Sequence, residues 1–431
     1  MSSPERLRVL LIIEQCNPDW ASVPLEGYNY YCGIARHADV HLVTHGRNAP
    51  ALSRTTDTQI TYIYEGVLSK RYYKLVDGLT ARGRVNWPLR NALAYPIYEE
   101  FNRQVCRRFS PNVERGDYDL VHAITPMMPR YPVAIHRACL QTPFLLGPVN
   151  GGVPFPPGFG KIARQESAQF NFLRAVGRSL LPDYVATYKN AHKILAGSTY
   201  TLELLKRLFA IPDERVELFY ENGIDACFLD PRAPSVSEDG RVRLLFVGRL
   251  VPYKGADMIL DAIANLDPTV RDRLVLTIVG DGSERSRLEE VVRDRGLNAS
   301  RLTVEFAGWV PQAKTLEYYR RADIFCFPSI REFGGAVVLE AMACGLPCIV
   351  VDNGGIGEYV TEQNGYKIAP TSRAEVVTLL EQHISTLVTN NKLRAQMSEQ
   401  AIARAREFTW SHKSEQLLSI YRELIVSCRA K

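Results

Sequence analysis

Short, unbroken apolar runs recur along this chain, and the one that constrains it most is Ala322–Pro328 (ADIFCFP), because of the glycines and acids that come after it. A few residues on stands Gly334-Gly335, then AVVLEAMA, closed by Gly345 and Pro347. The run reads as a buried strand, the double glycine as a tight turn and AVVLEAMA as a helix. A strand feeding a glycine turn that opens a helix is an anion site. The first amides of the helix lack intrahelical acceptors, its dipole favours negative charge there, and glycine lets a ligand approach the main chain. Two acids flank the glycines: Glu332 at the mouth of the turn and Glu340 within the first two turns of the helix. A carboxylate repels a phosphate, so both are read as acceptors of hydrogen bonds from hydroxyls. Sugar nucleotides supply phosphates and hydroxyls together.

The same alternation runs through the chain. Arg8–Gln15 (RVLLIIEQ) is an apolar strand of the kind covered on both faces in a parallel sheet. A loop to Gly27, a helix in YNYYCGIARHA and the strand Asp39–His45 make a strand-helix-strand unit. Further strands are expected at Leu120–Thr125, Phe144–Gly147, Ile194–Ser198, Val216–Tyr220, Val242–Val247, Leu274–Val279 and Val304–Phe306. After Gly147, PVNGGVPFPPGFG is too rich in Gly and Pro for regular structure, and it lies where open α/β sheets bind ligands. Residues 50–115 are aromatic and basic, with helical stretches around Pro96–Phe109. The fold class is α/β, and 431 residues with 46% hydrophobic content suffice for two or three domains.

No apolar run approaches the ~20 residues needed to cross a bilayer, and Val9–Ile13 is too short for a secretory signal. Nine cysteines are scattered without CxxC pairs and are expected as reduced thiols in a cytoplasmic protein. Residues 1–220 hold 26 Lys+Arg against 19 Asp+Glu, whereas residues 221–431 hold 26 against 28. The basic half is the amino-terminal one. Its clusters, Lys70-Arg71 with Lys74, Arg82 with Arg84, and Arg107-Arg108, read as solvated faces or as contacts for an anionic membrane or acceptor. No nucleic-acid-binding motif accompanies them, so nucleic acid is not expected as a partner.

The stretch Pro328–Val350 resembles the E-x7-E signature of retaining glycosyltransferase family 4. Val247–Asp257 (VGRLVPYKGAD), Val279–Val291 (VGDGSERSRLEEV), Val304–Pro311 (VEFAGWVP) and Asn353–Pro370 (NGGIGEYVTEQNGYKIAP) are similar to that family's donor-domain motifs, in order. An isolated E-x7-E arises by chance in many helices; five ordered blocks over about 180 residues are specific. The resemblance implies the GT-B fold, two doubly wound Rossmann-like domains facing across a cleft. Residues 1–220 would form the acceptor-binding domain, 221–240 the linker, 241–408 the nucleotide-sugar domain, and 409–431 a helix crossing back to the first domain. Trp410, Leu417, Leu418 and Tyr421 would anchor that crossover.

The implied activity is transfer of a sugar from a nucleoside diphosphate sugar of UDP or GDP type to a hydroxyl. Anomeric configuration would be retained and no metal ion or other cofactor needed, in synthesis of a bacterial-type glycan, glycolipid or glycosylated metabolite. By the resemblance Arg249 and Lys254 neutralise the two phosphates, Glu332 orients the sugar, and Glu340 holds the ribose. Phe333, Gly334 and Gly335 offer amides to sugar or phosphate, and Gly308 and Val310 meet the base. Gly27 matches a glycine closing over the diphosphate or acceptor, although Glu26 replaces the usual first glycine of a pair. His122, Asn150 and Gly151 fall on the acceptor side or cleft, with Ala123 and Ile124 where many members carry a second histidine. Asp117 and Asp119 form the D-x-D by which another glycosyltransferase fold holds metal, but they precede an apolar strand as solvated turn residues do. The partners implied are a nucleotide sugar and an unidentified acceptor, with peripheral contact at the inner face of a membrane through the basic half. Two rival readings remain: a non-catalytic sugar-nucleotide-binding protein, and a sugar nucleotide epimerase of the same fold.

Overall fold

The computed structural model describes residues 6–54, 59–80, 87–166, 173–229, 240–299 and 301–430. Contacts divide the chain into two compact units. The first comprises residues 1–152, 166–221 and 410–431, and the second residues 153–165 and 222–409.

The first unit is built on a parallel sheet of β1 (Arg8–Ile12), β2 (Asp39–His45), β3 (Gln59–Ile63), β4 (Leu120–Ala123), β5 (Phe144–Val149), β6 (Lys193–Ala196) and β7 (Val216–Leu218). Their order is β3-β2-β1-β4-β5-β6-β7. Successive side chains of β1 point to opposite faces, and both faces are covered. Leu10 and Ile12 join one core with Tyr98, Phe101, Val105 and Phe109 of the helix Trp87–Glu114. Val9, Leu11 and Ile13 join another with Tyr30, Tyr31 and Ile34 of the helix Val23–Ala35 and Leu417, Leu418 and Tyr421 of the closing helix Trp410–Arg429. That two-sided burial is why β1 reads as an unbroken apolar run. β3, at the sheet edge, is half-exposed and lacks such a run, so it is absent from the expected strands.

The second unit repeats the plan with β8 (Val242–Val247), β9 (Leu274–Val279), β10 (Thr303–Gly308), β11 (Ile324–Phe327), β12 (Cys348–Val351) and β13 (Gly365–Ile368), all parallel, in the order β10-β9-β8-β11-β12-β13. In each sheet the order reverses once, between β1 and β4 in the first and between β8 and β11 in the second. Ligands of open α/β sheets bind outside the carboxyl ends of strands at such a reversal.

Two further features differ from expectation, and β12 and β13 are not among the expected strands. Gly27 is not in a loop: the helix opens at Val23 with Pro24 in its first turn. A Cβ on Gly27 would lie 2.4 Å from the Gln15 carbonyl oxygen, so this glycine seats the helix against the end of β1. Val153–Gln165, placed by sequence in the amino-terminal domain, belongs to the second unit. Its backbone is tied there by Arg331 Nε, which donates to Val153 O at 2.7 Å, and by Asn353 Nδ2, which donates to Pro154 O at 3.2 Å. The linker expected over 221–240 extends into residues 230–239, which with Arg82 and Arg84 lie outside the described residues. All nine cysteines are free thiols, and among the described residues no helix is long and apolar enough to cross a membrane.

Candidate active site

The loops leaving β8 and β11 lie side by side because one glycine permits it. Gly255 has φ 74°, and a Cβ there would lie 2.5 Å from the carbonyl oxygen of Pro328. The amide of Ile330 then bonds to Tyr253 O at 2.9 Å. This juxtaposition brings Lys254 to Glu332, and the two side chains form an ion pair. Ser329 Oγ donates to Glu332 Oε2 at 3.2 Å, and the Lys254 ammonium lies 4.8 Å from the centre of the Phe327 ring. Arg249, exposed, is steadied from its own loop, Nη2 donating to the Tyr253 hydroxyl at 2.7 Å.

The turn after β12 fixes the backbone beneath the acid. Glu332 N–H donates to Asn353 O at 3.3 Å, and Gly355 N–H to Phe333 O at 2.9 Å. A Cβ on Gly354 would stand 1.8 Å from the Glu332 carbonyl oxygen, so the second glycine pair, Gly354-Gly355, allows this clamp. The helix Ala336–Ala343 then starts from Gly335 in the left-handed conformation, φ 70°. Gly334 is buried and Phe333 and Gly335 are half-buried at its entrance. One region thus holds two cations, a carboxylate and a helix N-terminus, which suits an anion bearing hydroxyls.

Glu340 is more enclosed than the sequence suggests. Only 5% exposed, it accepts from the Tyr319 hydroxyl at 2.8 Å and from Gln312 Nε2 at 3.1 Å. Burial raises its carboxyl above the usual range, and those two donors oppose the shift. A carboxylate has about four acceptor positions, so a ribose hydroxyl can still be received, most simply in place of the exposed Gln312 amide. At the end of β10, Gly308 has φ 74° and its carbonyl accepts from Gly280 N–H at 2.8 Å, while Val310 is half-buried and Trp309 is 74% exposed.

The expected acceptor-side residues fare differently. His122 is fully buried in the middle of the first sheet: Nε2 donates to Gly147 O at 2.7 Å and Nδ1 accepts from the Tyr421 hydroxyl at 2.6 Å. Burial pushes its imidazole down to about 4, so it is a neutral core group and not a site residue. Asn150 is 1% exposed, and its Oδ1 accepts from Ser198 Oγ and Thr201 Oγ1, both at 2.9 Å. Gly151 N–H donates to Thr201 Oγ1 at 3.0 Å. These two hold the loop after β5 to the helix Thr199–Phe209, a structural task. Asp119 pairs with Arg8 at 3.1 Å and Arg429 at 3.5 Å, and Asp117 accepts from Asn112 and Arg115, each at 2.8 Å. Among the described residues no group of three metal-binding side chains occurs.

Sequence reasoning missed a polar cluster at the carboxyl ends of β1 and β2. Arg47 pairs with Glu14, Asn48 Nδ2 donates to Glu14 O at 2.9 Å, and His45 Nε2 lies 3.2 Å from Glu65 Oε2. Burial chiefly, and the Arg47 charge next, lower the His45 imidazole against nearby carboxylates. The signal was positional: Glu14, His45 and Arg47 stand directly at or after strand ends beside the reversal in the first sheet.

These features define a class, the GT-B fold of two Rossmann-like units. Solved structures agree across nearly the whole chain. The Anabaena protein HepE in complex with UDP and glucose superposes with a TM-score of 0.61 at 18% identity, covering 97% of this chain and 100% of its own. The lipopolysaccharide outer core galactosyltransferase WaaB does so with 0.65 at 14%, covering 98% and 99%. By sequence, residues 230–404 match the family model described as Glycosyl transferases group 1. D-inositol 3-phosphate glycosyltransferase of Kribbella flavida is 30% identical over 247 residues, 54% of this chain and 56% of the relative. The enzyme of the same description from Frankia alni is 28% identical over 337 residues, 72% and 76% respectively. The match to the Kribbella relative therefore spans about half of that protein.

Proposed function

We propose that this chain is a retaining glycosyltransferase of family 4 that moves a sugar from a UDP- or GDP-type donor to an acceptor hydroxyl without a metal ion. The observation that carries the reading is the convergence of Arg249, Lys254, Glu332 and the glycine-opened helix beside the reversal in the second sheet. The group 1 match over residues 230–404 supports it.

The donor diphosphate sits between the two cations and the amides of Phe333–Gly335, and draws Lys254 from its pair with Glu332. Glu332 is then released to accept hydrogen bonds from sugar hydroxyls and orient the ring. Glu340 takes the ribose, and the backbone at Gly308–Val310 meets the base. The acceptor oxygen attacks the anomeric carbon from the face the diphosphate leaves. As the bond from that carbon to the β-phosphate oxygen breaks, the electron pair goes to the phosphate, which takes the acceptor's proton. Fixed cations stabilise the growing charge, so the chemistry asks for neither a protein base nor a metal.

A screen of UDP, GDP and ADP sugars, with nucleotide release followed without and with polyol and glycolipid acceptors, tests the reading. The expected result is slow donor hydrolysis with one nucleotide class, accelerated by an acceptor, and a product that keeps the donor's anomeric configuration. Altered sugar formed without acceptor would show an epimerase, and nucleotide binding without turnover a binding protein.

A further inference from the structure

In the first unit the helix Val67–Thr80 (VLSKRYYKLVDGLT) packs on one side only. Tyr72 donates from its hydroxyl to Leu93 O at 3.0 Å, and Val76 is buried, so this side faces the helix Trp87–Glu114. The other side carries Val67, Leu68 and Leu75, which are 69%, 80% and 57% exposed, and Tyr64 on the preceding segment is 57% exposed. With 3.6 residues per turn, Val67, Leu68, Arg71 and Leu75 fall on one arc, and Lys70 and Lys74 border it. All three cations are exposed.

Aliphatic side chains grouped on a surface mark an interaction face, and the charges indicate what meets it. The helix holds three basic residues against one acid, Asp77, in the half of the chain where Lys+Arg exceed Asp+Glu by 26 to 19. A partner for this face must accept leucines and present negative charge among them and along one edge of them. A bilayer surface containing anionic lipid does both, with acyl chains below and phosphates around. Tyr73, 41% exposed, has the apolar body and polar tip suited to that boundary. We propose that Val67–Thr80 lies in the plane of an anionic membrane, with Val67, Leu68 and Leu75 in its apolar edge and Lys70, Arg71 and Lys74 on lipid phosphates. The assignment does not rest on the transferase reading, because binding is measured without turnover.

The test is flotation of the full chain with vesicles of phosphatidylcholine alone and of phosphatidylcholine with phosphatidylglycerol. Binding is expected on the anionic vesicles only, with release at high salt. The triple variant Lys70→Glu, Arg71→Glu, Lys74→Glu should bind at least about 100-fold more weakly, since each basic residue near the surface contributes about fivefold. Leu68→Ser with Leu75→Ser, which leaves the charge unchanged, should weaken binding about tenfold or more. Both variants alter exposed positions, and circular dichroism should show native folds. Equal binding to the two vesicle types, binding to neither, or full binding by the variants would overturn the assignment. A dimer seen by light scattering and dissolved by the leucine substitutions, with no vesicle binding, would give the face to a second copy and equally overturn it.

Discussion

Lys254 and Glu332 form a pair whose side chains are 11% and 17% exposed, so at rest each is the other's main counter-charge. In the proposed reaction the diphosphate replaces Glu332 as partner of Lys254, and its charge grows as the sugar leaves. Only the growing part speeds the reaction. Lys254→Ala and Arg249→Ala should each lower kcat by roughly 10²- to 10³-fold, the range for losing one preorganised transition-state partner. A rise in KM with kcat intact would reduce them to binding groups. Glu340, proposed to hold the ribose, carries the opposite tension, an acid held where charge is disfavoured. Its folded-state pKa lies above the ordinary 4.5, so the native protein holds the proton more tightly than the unfolded chain and loses stability as pH rises through that window. Glu340→Gln should therefore gain Tm relative to the native protein as pH rises above 4.5. It should also weaken nucleoside diphosphate binding by about 1–3 kcal/mol. Unchanged calorimetric affinity would remove Glu340 from the ribose role. Asp117 and Asp119 are committed to Asn112, Arg115, Arg8 and Arg429, so turnover should survive excess EDTA, and loss restored by Mg2+ would reopen the metal reading. The places of Glu332 and Gly335 at the turn into the helix were legible from the turn-to-helix pattern, and that of Lys254 from the resemblance. His122, Asn150 and Gly27 were not, because chain position beside a strand does not say whether a polar group faces a ligand, a core or another backbone.

At the scale of elements, the closing helix Trp410–Arg429 is bound to the first sheet by more than apolar packing. The Tyr421 hydroxyl bonds to His122 in mid-sheet, Trp410 packs edge-on to Tyr30 with ring centres 5.0 Å apart, and the Lys413 ammonium lies 4.0 Å from the centre of the Phe219 ring. The histidine makes the attachment pH-dependent. Its imidazole, pushed down to about 4 by burial, stays neutral in the native protein while the unfolded chain takes up a proton near 6.5. Stability should thus be full above the unfolded value and fall, by roughly 3 kcal/mol, between pH 6.5 and 4. His122→Gln should flatten that part of the Tm profile even if it lowers Tm throughout. An unaltered slope would show that other groups set the acid limit. The helix itself was legible by resemblance, and β1, β2 and β4 to β11 from their apolar runs, whereas β12 and β13 were not expected. The edge strand β3 and the return of Val153–Gln165 to the second unit were not. An edge strand needs no apolar run, and the loop is placed by Arg331 and Asn353, far away in sequence.

For the molecule as a whole, the groups proposed to hold the donor, from Arg249 to Glu340, all belong to the second unit, although the chain passes between the units at 152/153, 165/166, 221/222 and 409/410. A ligand that binds one folded unit stabilises that unit, and chains of this size need not unfold in one step. Leu417→Ala, a truncation in the core of the first unit, marks that unit's transition by lowering it. The accepted nucleoside diphosphate at about 100 times its Kd should stabilise the second unit by about 2.7 kcal/mol. At about 2–4 °C per kcal/mol for a unit of this size, its transition should rise by roughly 5–10 °C. Scanning calorimetry should show the nucleotide raising the transition that Leu417→Ala leaves in place, and Glu340→Ala should reduce that rise. A shift confined to the transition that Leu417→Ala lowers would put the nucleotide on the first unit. The donor site between β8 and β11 would then be wrong, whatever the chain transfers.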